Sequence, residues 1–301
     1  MFKKLKKVDK SLIMSLVMLL LVILVFEILT KGKLLQKRNL LNLINQSLTI
    51  IMAGLGMIFV VSMGGTDITT GVVAALAGIA AAAIASNHFL LAFPVAIVIG
   101  MIFGLTLGII NVIFKVPSFM ASLAILIAGR AAITWLMSTY LVFAPVKIMA
   151  LNNFEYKIPI LIFLIVLVVY LLEYTPFGNY VKAIGENENA AAYLGINVKK
   201  IKMTAFMLSG IMAGFAGIFV IARSGGASPT TASGMEMNVM MAIFVGGVPV
   251  TGGTASKIYK LICGALLIAV LENGLILGGS SGALTQLIKG IVLILVVYLT
   301  M

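Results

Sequence analysis

The segment Ser11–Thr30, SLIMSLVMLLLVILVFEILT, is twenty residues long and contains a single charged residue, Glu27. As a helix it would be about 30 Å long, which is the thickness of the hydrocarbon core of a bilayer. The preceding MFKKLKKVDK makes the segment resemble a signal peptide. However, the apolar run is too long and has no small-residue cleavage site. We therefore expect a retained transmembrane helix.

Further apolar runs follow along almost the whole chain. Of its 301 residues, 62% are hydrophobic and 10% are charged, whereas soluble domains carry about 25% charged residues. Ten spans use about 200 residues, which leaves short loops and no soluble domain. The sequence therefore predicts an all-α polytopic membrane protein with about ten helices, forming a single transmembrane domain over 1–301. Besides 11–30, the predicted spans are 44–63, 68–86, 90–113, 118–139, 158–173, 200–222, 236–250, 258–277 and 284–301, of which 236–250 is interrupted by Gly and Pro and is a candidate re-entrant segment.

The positive charges indicate the orientation of the chain. The net charge is +12, and residues 1–10 contain five lysines. Cytoplasmic loops and anionic lipid explain this charge better than nucleic acid does, so we expect no nucleic-acid partner. With the N-terminus inside, twelve of the assigned Lys and Arg residues are cytoplasmic and seven are outside, although the cluster at 31–38 falls outside. The positive-inside rule thus favours N-in and C-in, with 1–10 as a basic cytoplasmic tail.

Two segments indicate an internal repeat. IMAGLGMIFVVS (Ile51–Ser62) and IMAGFAGIFVIA (Ile211–Ala222) are identical at seven of twelve positions. In the predicted topology the two segments run in opposite directions, which is the pattern of an inverted five-plus-five repeat with broken or re-entrant helices. A chance similarity between Gly-rich and Ala-rich helices is the alternative. Glycines at four-residue spacing in GMIFGLTLG favour close helix packing within the chain, or else a dimer interface.

Polar groups inside the predicted spans are candidates for a translocation pathway, because they are expensive to place in lipid. Arg130 lies near the middle of its span and should face the bundle interior or a watery cavity. These polar groups include few charges and several amides, and they therefore suit a neutral polyhydroxy solute better than an ion. The alternative is that these groups satisfy helix breaks. The candidates, including glycines at the breaks, are Asn45, Gln46, Gly65, Asp67, Asn111, Arg130, Glu236, Asn238, Gly246, Gly247, Glu272 and Asn273.

The residue inventory argues against an enzyme. One cysteine (Cys263) and one histidine (His88) are too few for a Cys/His metal site, so we expect no metal. An aspartyl protease needs a pair of carboxylates in its site, and the Asp residues are Asp9 and Asp67 alone. GVPVTGGT (247–254) has the spacing of a phosphate-binding loop, but Gly253 stands where lysine must reach the phosphates. We expect no cofactor bound by this chain, so any ATP must be held by another subunit.

The stretch GENENAAAYLGINVKK (Gly185–Lys200) is unusually polar for this chain and is predicted to be cytoplasmic. Asn187 is predicted to cap a helix over Glu188–Leu194, and Gly195 to end it. Seven residues are too few for a stable isolated helix, since about 12–15 are marginal in water. The helix therefore needs a docking surface, either on a partner protein or on lipid headgroups or the chain's own loops. The residues assigned to this contact are Glu186, Asn187, Glu188, Ala190, Ala191, Leu194, Gly195 and Ile196.

Several motifs carry a resemblance to a known family. AAAYLGI continues into SGIMAGFAGIF, and GGTDIT, VPSFMASLA, EMNVMMAIFVGGVPVTGG and ENGL follow the family's order over about 39–298. Together they resemble the membrane permease subunit of ribose-type sugar importers of the ATP-binding cassette class. The chain departs from the family pattern where Asn189 replaces an acid, Asn238 replaces the second acid after Glu236, Thr254-Ala255 replaces an arginine, and Glu272 replaces the first Asn of an Asn-Asn-Gly motif.

The resemblance implies a division of labour in the bacterial cell membrane. A second permease subunit, identical or homologous, would complete the pathway. Two cytoplasmic ATPases would hold ATP and Mg²⁺ and grip the short helix, while an extracellular or periplasmic solute-binding protein would deliver a monosaccharide. Alternatives are a permease for a nucleoside, an autoinducer-type furanosyl compound or a branched-chain amino acid. A self-sufficient, ion-driven carrier is a more distant alternative.

Overall fold

The computed structural model describes residues 10–300, so the predicted basic tail lies outside the described residues except for Lys10. Within this range the chain is helical and has no strand; one isolated bridge joins Phe143 to Gly226. The all-α prediction is therefore confirmed. The helices are α1 (Lys10–Leu29), α2 (Lys37–Ser62), α3 (Thr70–Ala85), α4 (Ala92–Val112), α5 (Ser118–Thr139), α6 (Val146–Ala150), α7 (Phe154–Val169), α8 (Pro176–Glu186), α9 (Glu188–Tyr193), α10 (Val198–Ser224), α11 (Met235–Val245), α12 (Ile258–Leu277) and α13 (Gly282–Thr300), with a 3₁₀ turn at Phe89–Leu91 and a π turn at Tyr170–Tyr174.

Within residues 10–300, six helical segments are long and apolar enough to cross a membrane, which takes about 20 residues. These findings confirm a multi-spanning architecture, while the count of ten spans and the N-in/C-in orientation stay predictions. The six segments are Lys37–Ser62, Phe89–Val112, Ser118–Thr139, Phe154–Tyr174, Val198–Ser224 and Ile258–Leu277, and the shorter apolar helices are Leu16–Leu29, Thr70–Ala85, Met235–Val245 and Gly282–Leu295.

Irregular backbone borders two of the shorter helices. Residues 63–69 separate α2 from α3, and residues 246–257 separate α11 from α12. With 11 residues, α11 is about 16 Å long, roughly half of the hydrocarbon core. Gly64 (φ 76°) and Gly247 (φ 95°) adopt the left-handed backbone conformation that lets the chain turn sharply at these two places.

The core of the bundle is built around α2 and α10. α10 packs along α4, α3 and α2, and α2 in turn packs along α12 and α11. Every residue of α2 from Ile50 to Ser62 is buried. A helix that is covered on all sides must be apolar on every face, which explains why this part of the sequence shows no one-sided periodicity.

Equivalent helices of the two halves have equivalent neighbours. α3 packs on α4, and α11 packs on α12. α5 contacts both α3 and α4, just as α13 contacts both α11 and α12. The two helices that carry the similar twelve-residue segments, α2 and α10, each pack along the helix pair of the opposite half.

The glycines of α4 form a close contact with α10. A methyl group added at Gly100 would lie 2.1 Å from the carbonyl oxygen of Gly210, and one at Gly104 would lie 2.4 Å from that of Phe206. At Gly108 the nearest atom, the Cα of Met203, would be 3.3 Å away. The interpretation that this spacing serves packing within the chain is therefore confirmed, because small residues let helix backbones approach closely.

This contact predicts a graded response to added methyl groups. We expect Gly100→Ala to destabilise the purified protein by about 1–3 kcal/mol, since rigid backbone must move to admit the methyl group. Gly108→Ala is the matched control on the same helix face and should have a smaller effect. Thermal unfolding in detergent measures both, and an equal effect of the two substitutions would contradict the packing described.

Candidate translocation pathway and docking helix

The polar stretch before α10 contains the predicted short helix. The side-chain oxygen of Asn187 accepts a hydrogen bond of 3.0 Å from the backbone N–H of Ala190, as N-cap residues do. At the other end Gly195 has φ 81°, and the backbone N–H of Ile196 donates to the carbonyl oxygen of Ala191 at 3.2 Å. This is the pattern of a Schellman motif. The predicted cap and stop are confirmed, and the helix ends one residue earlier than expected.

The side chains of α9 divide between the protein and solvent. Ala191 is buried within the chain, so the chain's own residues cover one of the alanines. Tyr193 and Leu194 are 91% and 81% exposed. Large hydrophobic side chains this open, on a helix too short to be stable alone, are typical of a surface that another molecule covers.

Grooves flank α9 on both sides. One has a volume of about 350 Å³, and its lining includes Glu186, Asn187, Ala190 and Leu194. The other, of about 430 Å³, is lined by residues that include Glu188, whose carboxylate forms an ion pair of 2.6 Å with Lys202. Six of the residues assigned to docking thus line these two grooves, and Gly195 and Ile196 line neither.

Hydrogen bonds tie the α9 region to the end of α2. A carboxylate oxygen of Glu186 accepts from the backbone N–H and from the hydroxyl group of Thr254, both at 2.8 Å. The backbone N–H of Thr254, followed by its hydroxyl group, lowers the pKa of Glu186 below its ordinary value. The neighbouring Gly253 donates its backbone N–H to the carbonyl oxygen of Ser62, the last residue of α2, at 2.8 Å.

A buried aspartate continues this connection beyond α2. The carboxylate of Asp67 accepts hydrogen bonds from the backbone N–H of Thr69 at 2.8 Å, from the Thr69 hydroxyl at 2.6 Å and from the Ser209 hydroxyl at 2.6 Å. These bonds join the start of α3 to α10. Asp67 and the nearby Gly65 therefore lie at the helix break. Both carboxylate oxygens of Asp67 accept hydrogen bonds from protein groups.

Three more of the predicted pathway residues lie at loops of the α9 end. The carbonyl oxygen of Gly247 accepts a hydrogen bond of 2.9 Å from the Lys260 ammonium. A methyl group at Gly246 would lie 2.0 Å from the carbonyl oxygen of Lys260. The amide of Asn111 donates to the carbonyl oxygen of Val116 at 2.9 Å, across the turn between α4 and α5. These contacts shape the loops.

A second polar group lies beside the first half of α2. A single oxygen of Glu272 accepts from the Gln46 amide at 3.0 Å and from the Asn238 amide at 2.9 Å. The other Glu272 oxygen lies 3.0 Å from the Lys289 ammonium, which also donates to Asn238 at 2.9 Å. Gln46 and Ser62 are sixteen residues apart, or about 24 Å along the helix. The structure thus places these predicted pathway residues in two separate regions.

Asn45 and Asn273 adjoin Gln46 and Glu272 in the sequence, but they take part in separate contacts. The Asn39 amide donates to the side-chain oxygen of Asn273 at 2.9 Å, which connects α2 to α12. Asn45 contacts the buried ammonium of Lys157 through its side chain, and its carbonyl oxygen accepts from the same ammonium at 3.0 Å. The Thr49 hydroxyl accepts from Lys157 as well, at 2.9 Å.

Arg130 faces the interior of the bundle, as predicted. Its guanidinium donates to the carbonyl oxygens of Thr231 and Ala232 at 2.8 and 2.9 Å and lies 3.3 Å from a carboxylate oxygen of Glu236. The contact links the middle of α5 to the loop that precedes α11. The same oxygen of Glu236 would lie 1.8 Å from a methyl group at Gly71, so the carboxylate packs directly on α3.

A cavity of about 150 Å³ lies beside the second polar group. Hydrogen-bonding side chains of Gln46, Thr49, Arg223, Ser233 and Asn238 contribute to its lining. This volume corresponds to about five water molecules, which is space for one small polar solute. Such a cavity in a chain this apolar is where a translocation site is expected.

Sequence reasoning missed Lys157 and Lys289 as members of these clusters. Lys157 directly precedes the predicted span 158–173 and Lys289 lies within the predicted span 284–301, but neither is among the candidate pathway residues. Each is a lone charge in an apolar stretch (YKIPILIF and LIKGIVLIL), and an ionisable residue at membrane depth is a functional candidate by default. In residues 10–300 no group of three His, Cys, Asp or Glu side chains is placed to hold a metal ion.

Comparison with known proteins places these features in a family. Residues 39–297 match the family model described as "Branched-chain amino acid transport system / permease component". The ribose import permease protein of Haemophilus influenzae is 32% identical over 275 residues, which cover 86% of this chain and 84% of the relative.

Two further relatives have other sugars in their names. The galactofuranose transporter permease protein of Escherichia coli is 29% identical, over 85% of this chain and 77% of its own. The xylose transport system permease protein of Haemophilus influenzae is 27% identical, over 98% and 97% of the two chains. No solved structure matches the chain. The family match covers most of the chain, and the protein therefore belongs to the family of membrane permease components of transport systems that this model describes.

Proposed function

We propose that the chain is the transmembrane permease subunit of an ATP-driven importer in the bacterial cell membrane, and that its solute is a monosaccharide such as ribose. The family match and the sugar permeases among the relatives support this proposal. The observation that carries it is α9, a capped helix that exposes Tyr193 and Leu194. The preceding Glu186 is hydrogen-bonded to Thr254, and the neighbouring Gly253 is hydrogen-bonded to the end of the core helix α2.

The energy source in this proposal lies on partner subunits. In the stretch with phosphate-loop spacing, Gly253 has φ 87° and donates its backbone N–H to Ser62, so this loop serves as a structural joint. Cytoplasmic ATPases would hold ATP and Mg²⁺ and cover α9. A second permease subunit, identical or homologous, would complete the pathway, and a solute-binding protein outside the cell would deliver the solute.

A sequence of contacts connects the docking surface to the bundle. Movement of α9 acts on Glu186 and hence on Thr254, whose neighbour Gly253 is bonded to the end of α2. Residues 63–69 then connect α2 to Asp67, which bonds to α10 through Ser209. Rigid helices joined by such short irregular segments move as levers, as alternating access requires.

The solute would occupy the 150 Å³ cavity. Its lining offers amides, hydroxyl groups and one guanidinium, and the nearby carboxylate of Glu272 is already engaged by Gln46, Asn238 and Lys289. Apart from the Arg223 guanidinium these groups are neutral, and amides and hydroxyl groups suit the hydroxyl groups of a sugar. A branched-chain amino acid, as in the description of the family, would also require a free carboxylate for its ammonium group, and the Glu272 carboxylate is already engaged. A nucleoside and an autoinducer-type furanosyl compound carry sugar hydroxyl groups too, and they remain alternatives to a simple monosaccharide.

The proposed topology has ten spans, N-in and C-in, in two inverted halves. The equivalent neighbours of α2 and α10, of α3 and α11 and of α5 and α13 support a repeat of this kind. An inverted repeat places the solute site between the halves, near the middle of the membrane. In this arrangement α9 and the loops around Ser62 and Thr254 face the cytoplasm.

Reconstitution tests the proposed function. The chain is placed in liposomes alone, or together with its ATPase and its solute-binding protein, and uptake of radiolabelled D-ribose, D-xylose and D-galactose is measured. We expect uptake that requires both partners and ATP. Uptake by the chain alone under a proton or sodium gradient would instead establish an ion-driven carrier.

Charged substitutions on the exposed face of α9 test docking. We expect Leu194→Asp to reduce co-purification of the ATPase at least tenfold, because the carboxylate would be buried in an apolar contact. Val146→Asp is the matched control, since Val146 is 82% exposed in α6, on a predicted outer segment. Thermal unfolding of both variants should match that of the wild type. Undiminished ATPase binding by Leu194→Asp would contradict the role of α9.

Loss of a lining amide tests the solute cavity. Replacement of Gln46 by Ala should raise the KM for uptake about tenfold with little change in the maximal rate, because a hydrogen bond to the solute is lost. Asn87→Ala removes an equivalent amide from an exposed loop and serves as the control. An unchanged KM in Gln46→Ala would remove this cavity from the pathway.

A further inference from the structure

One buried lysine connects four helices. Lys289, on α13, has a side chain that is 1% exposed, and its ammonium lies 3.0 Å from Glu272 on α12 and 2.9 Å from Asn238 on α11. Glu272 also accepts a hydrogen bond from Gln46 on α2. The cluster thus contains one cation, one acid and two amides.

Lys289 is the main polar connection of the last helix. Among the described side chains of α13, Thr285 and Lys289 are the two that are buried, and the Thr285 hydroxyl has no hydrogen-bond partner in the described part of the chain. Leu284, Leu287 and Ile291 are exposed. Val292 and Leu293 also pack against the core, and to these apolar contacts Lys289 adds a buried ammonium group that requires a negative partner.

The cluster borders the solute cavity through its amides. Gln46 and Asn238 line the cavity, and both donate their amide hydrogens to the same oxygen of Glu272. Because Lys289 holds the other Glu272 oxygen and the Asn238 side-chain oxygen, it determines the orientation of both amides. Lys289 thus holds in place two residues of the cavity lining.

We propose that Lys289 is a positioning residue of the translocation site, and that it requires one carboxylate which either position 238 or position 272 can supply. The transport part of this inference rests on the proposed function. Asn238 and Glu272 lie at nearly equal distances from the ammonium group and 2.9 Å from each other. A carboxylate at either position would therefore reach the ammonium group without a movement of the helices.

One carboxylate balances the charge of this ammonium group. Glu272 supplies it at 3.0 Å, and Asn238 offers a neutral oxygen at 2.9 Å. Without a carboxylate at either position, the buried ammonium group would be a cation with no negative partner.

An exchange of the two residues tests the proposal. Glu272→Asn alone should lower the melting temperature and raise the KM for D-ribose uptake about tenfold. Adding Asn238→Asp to that variant should recover most of both losses, with KM returning to within about threefold of the wild type. The matched control combines Glu272→Asn with Asn273→Asp, which keeps the same composition and charge but moves the acid to a residue bonded to Asn39. This control should recover neither loss.

A neutral pair separates positioning from stability. Lys289→Met combined with Glu272→Gln removes both charges, so the melting temperature should recover relative to Glu272→Asn. KM should remain high, because Asn238 has lost its donor and Gln46 the carboxylate that held it. A KM equal to that of the wild type in this variant would overturn the positioning role.

The melting temperatures are measured on the purified chain and need no partner, so they decide the exchange even if D-ribose is not the solute. No recovery in Asn238→Asp/Glu272→Asn, or equal recovery in the Asn273 control, would overturn the proposal. Failure of the wild-type complex to import any sugar would count against the proposed function alone.

Discussion

Every charge inside an apolar bundle needs a partner, and this requirement organises the whole structure. Arg130 reaches from α5 to Glu236, Lys157 reaches from α7 to Asn45 on α2, and Lys289 connects α13 to Glu272. The first two contacts join helices that are far apart in sequence, and the third joins the last helix to the one before it. An apolar side chain has a similar free energy against lipid and against another helix. Polar contacts and close packing at glycines therefore select which helices meet.

The two regions of interest lie about 24 Å apart along α2. Ser62, where the loop beside α9 is attached, ends the helix, and Gln46, which borders the cavity, lies in its first half. From Ile50 to Ser62, α2 is buried on every side. A stiff, enclosed helix transmits a displacement at one end to the other, because packed cores shift between discrete arrangements more readily than they deform. This geometry gives the proposed coupling of ATPase movement to solute release a physical route.

Prediction from sequence succeeded where the signal was local. The cap at Asn187 and the stop at Gly195 follow from short-range rules and are confirmed. The inward direction of Arg130 followed from its cost in lipid. Asp67 was predicted to be a pathway residue, and its carboxylate oxygens accept hydrogen bonds from Thr69 and Ser209. Ser209 is 142 positions away in the sequence, and no local rule reveals that pairing. Lys157 and Lys289 were missed, although each was visible as a single charge in an apolar run.

The sequence by itself determined that this chain is an all-helical membrane protein, where its apolar segments lie, and that a short capped helix interrupts them. These properties follow from hydrophobicity and backbone preferences, which act over a few residues. The tertiary structure alone decided that Gln46, Asn238, Glu272 and Lys289 meet beside a cavity, and that Glu186 is bound to the loop after α11. Pairings of this kind depend on how helices pack in three dimensions, and the energies that select among packings arise between residues distant in the chain.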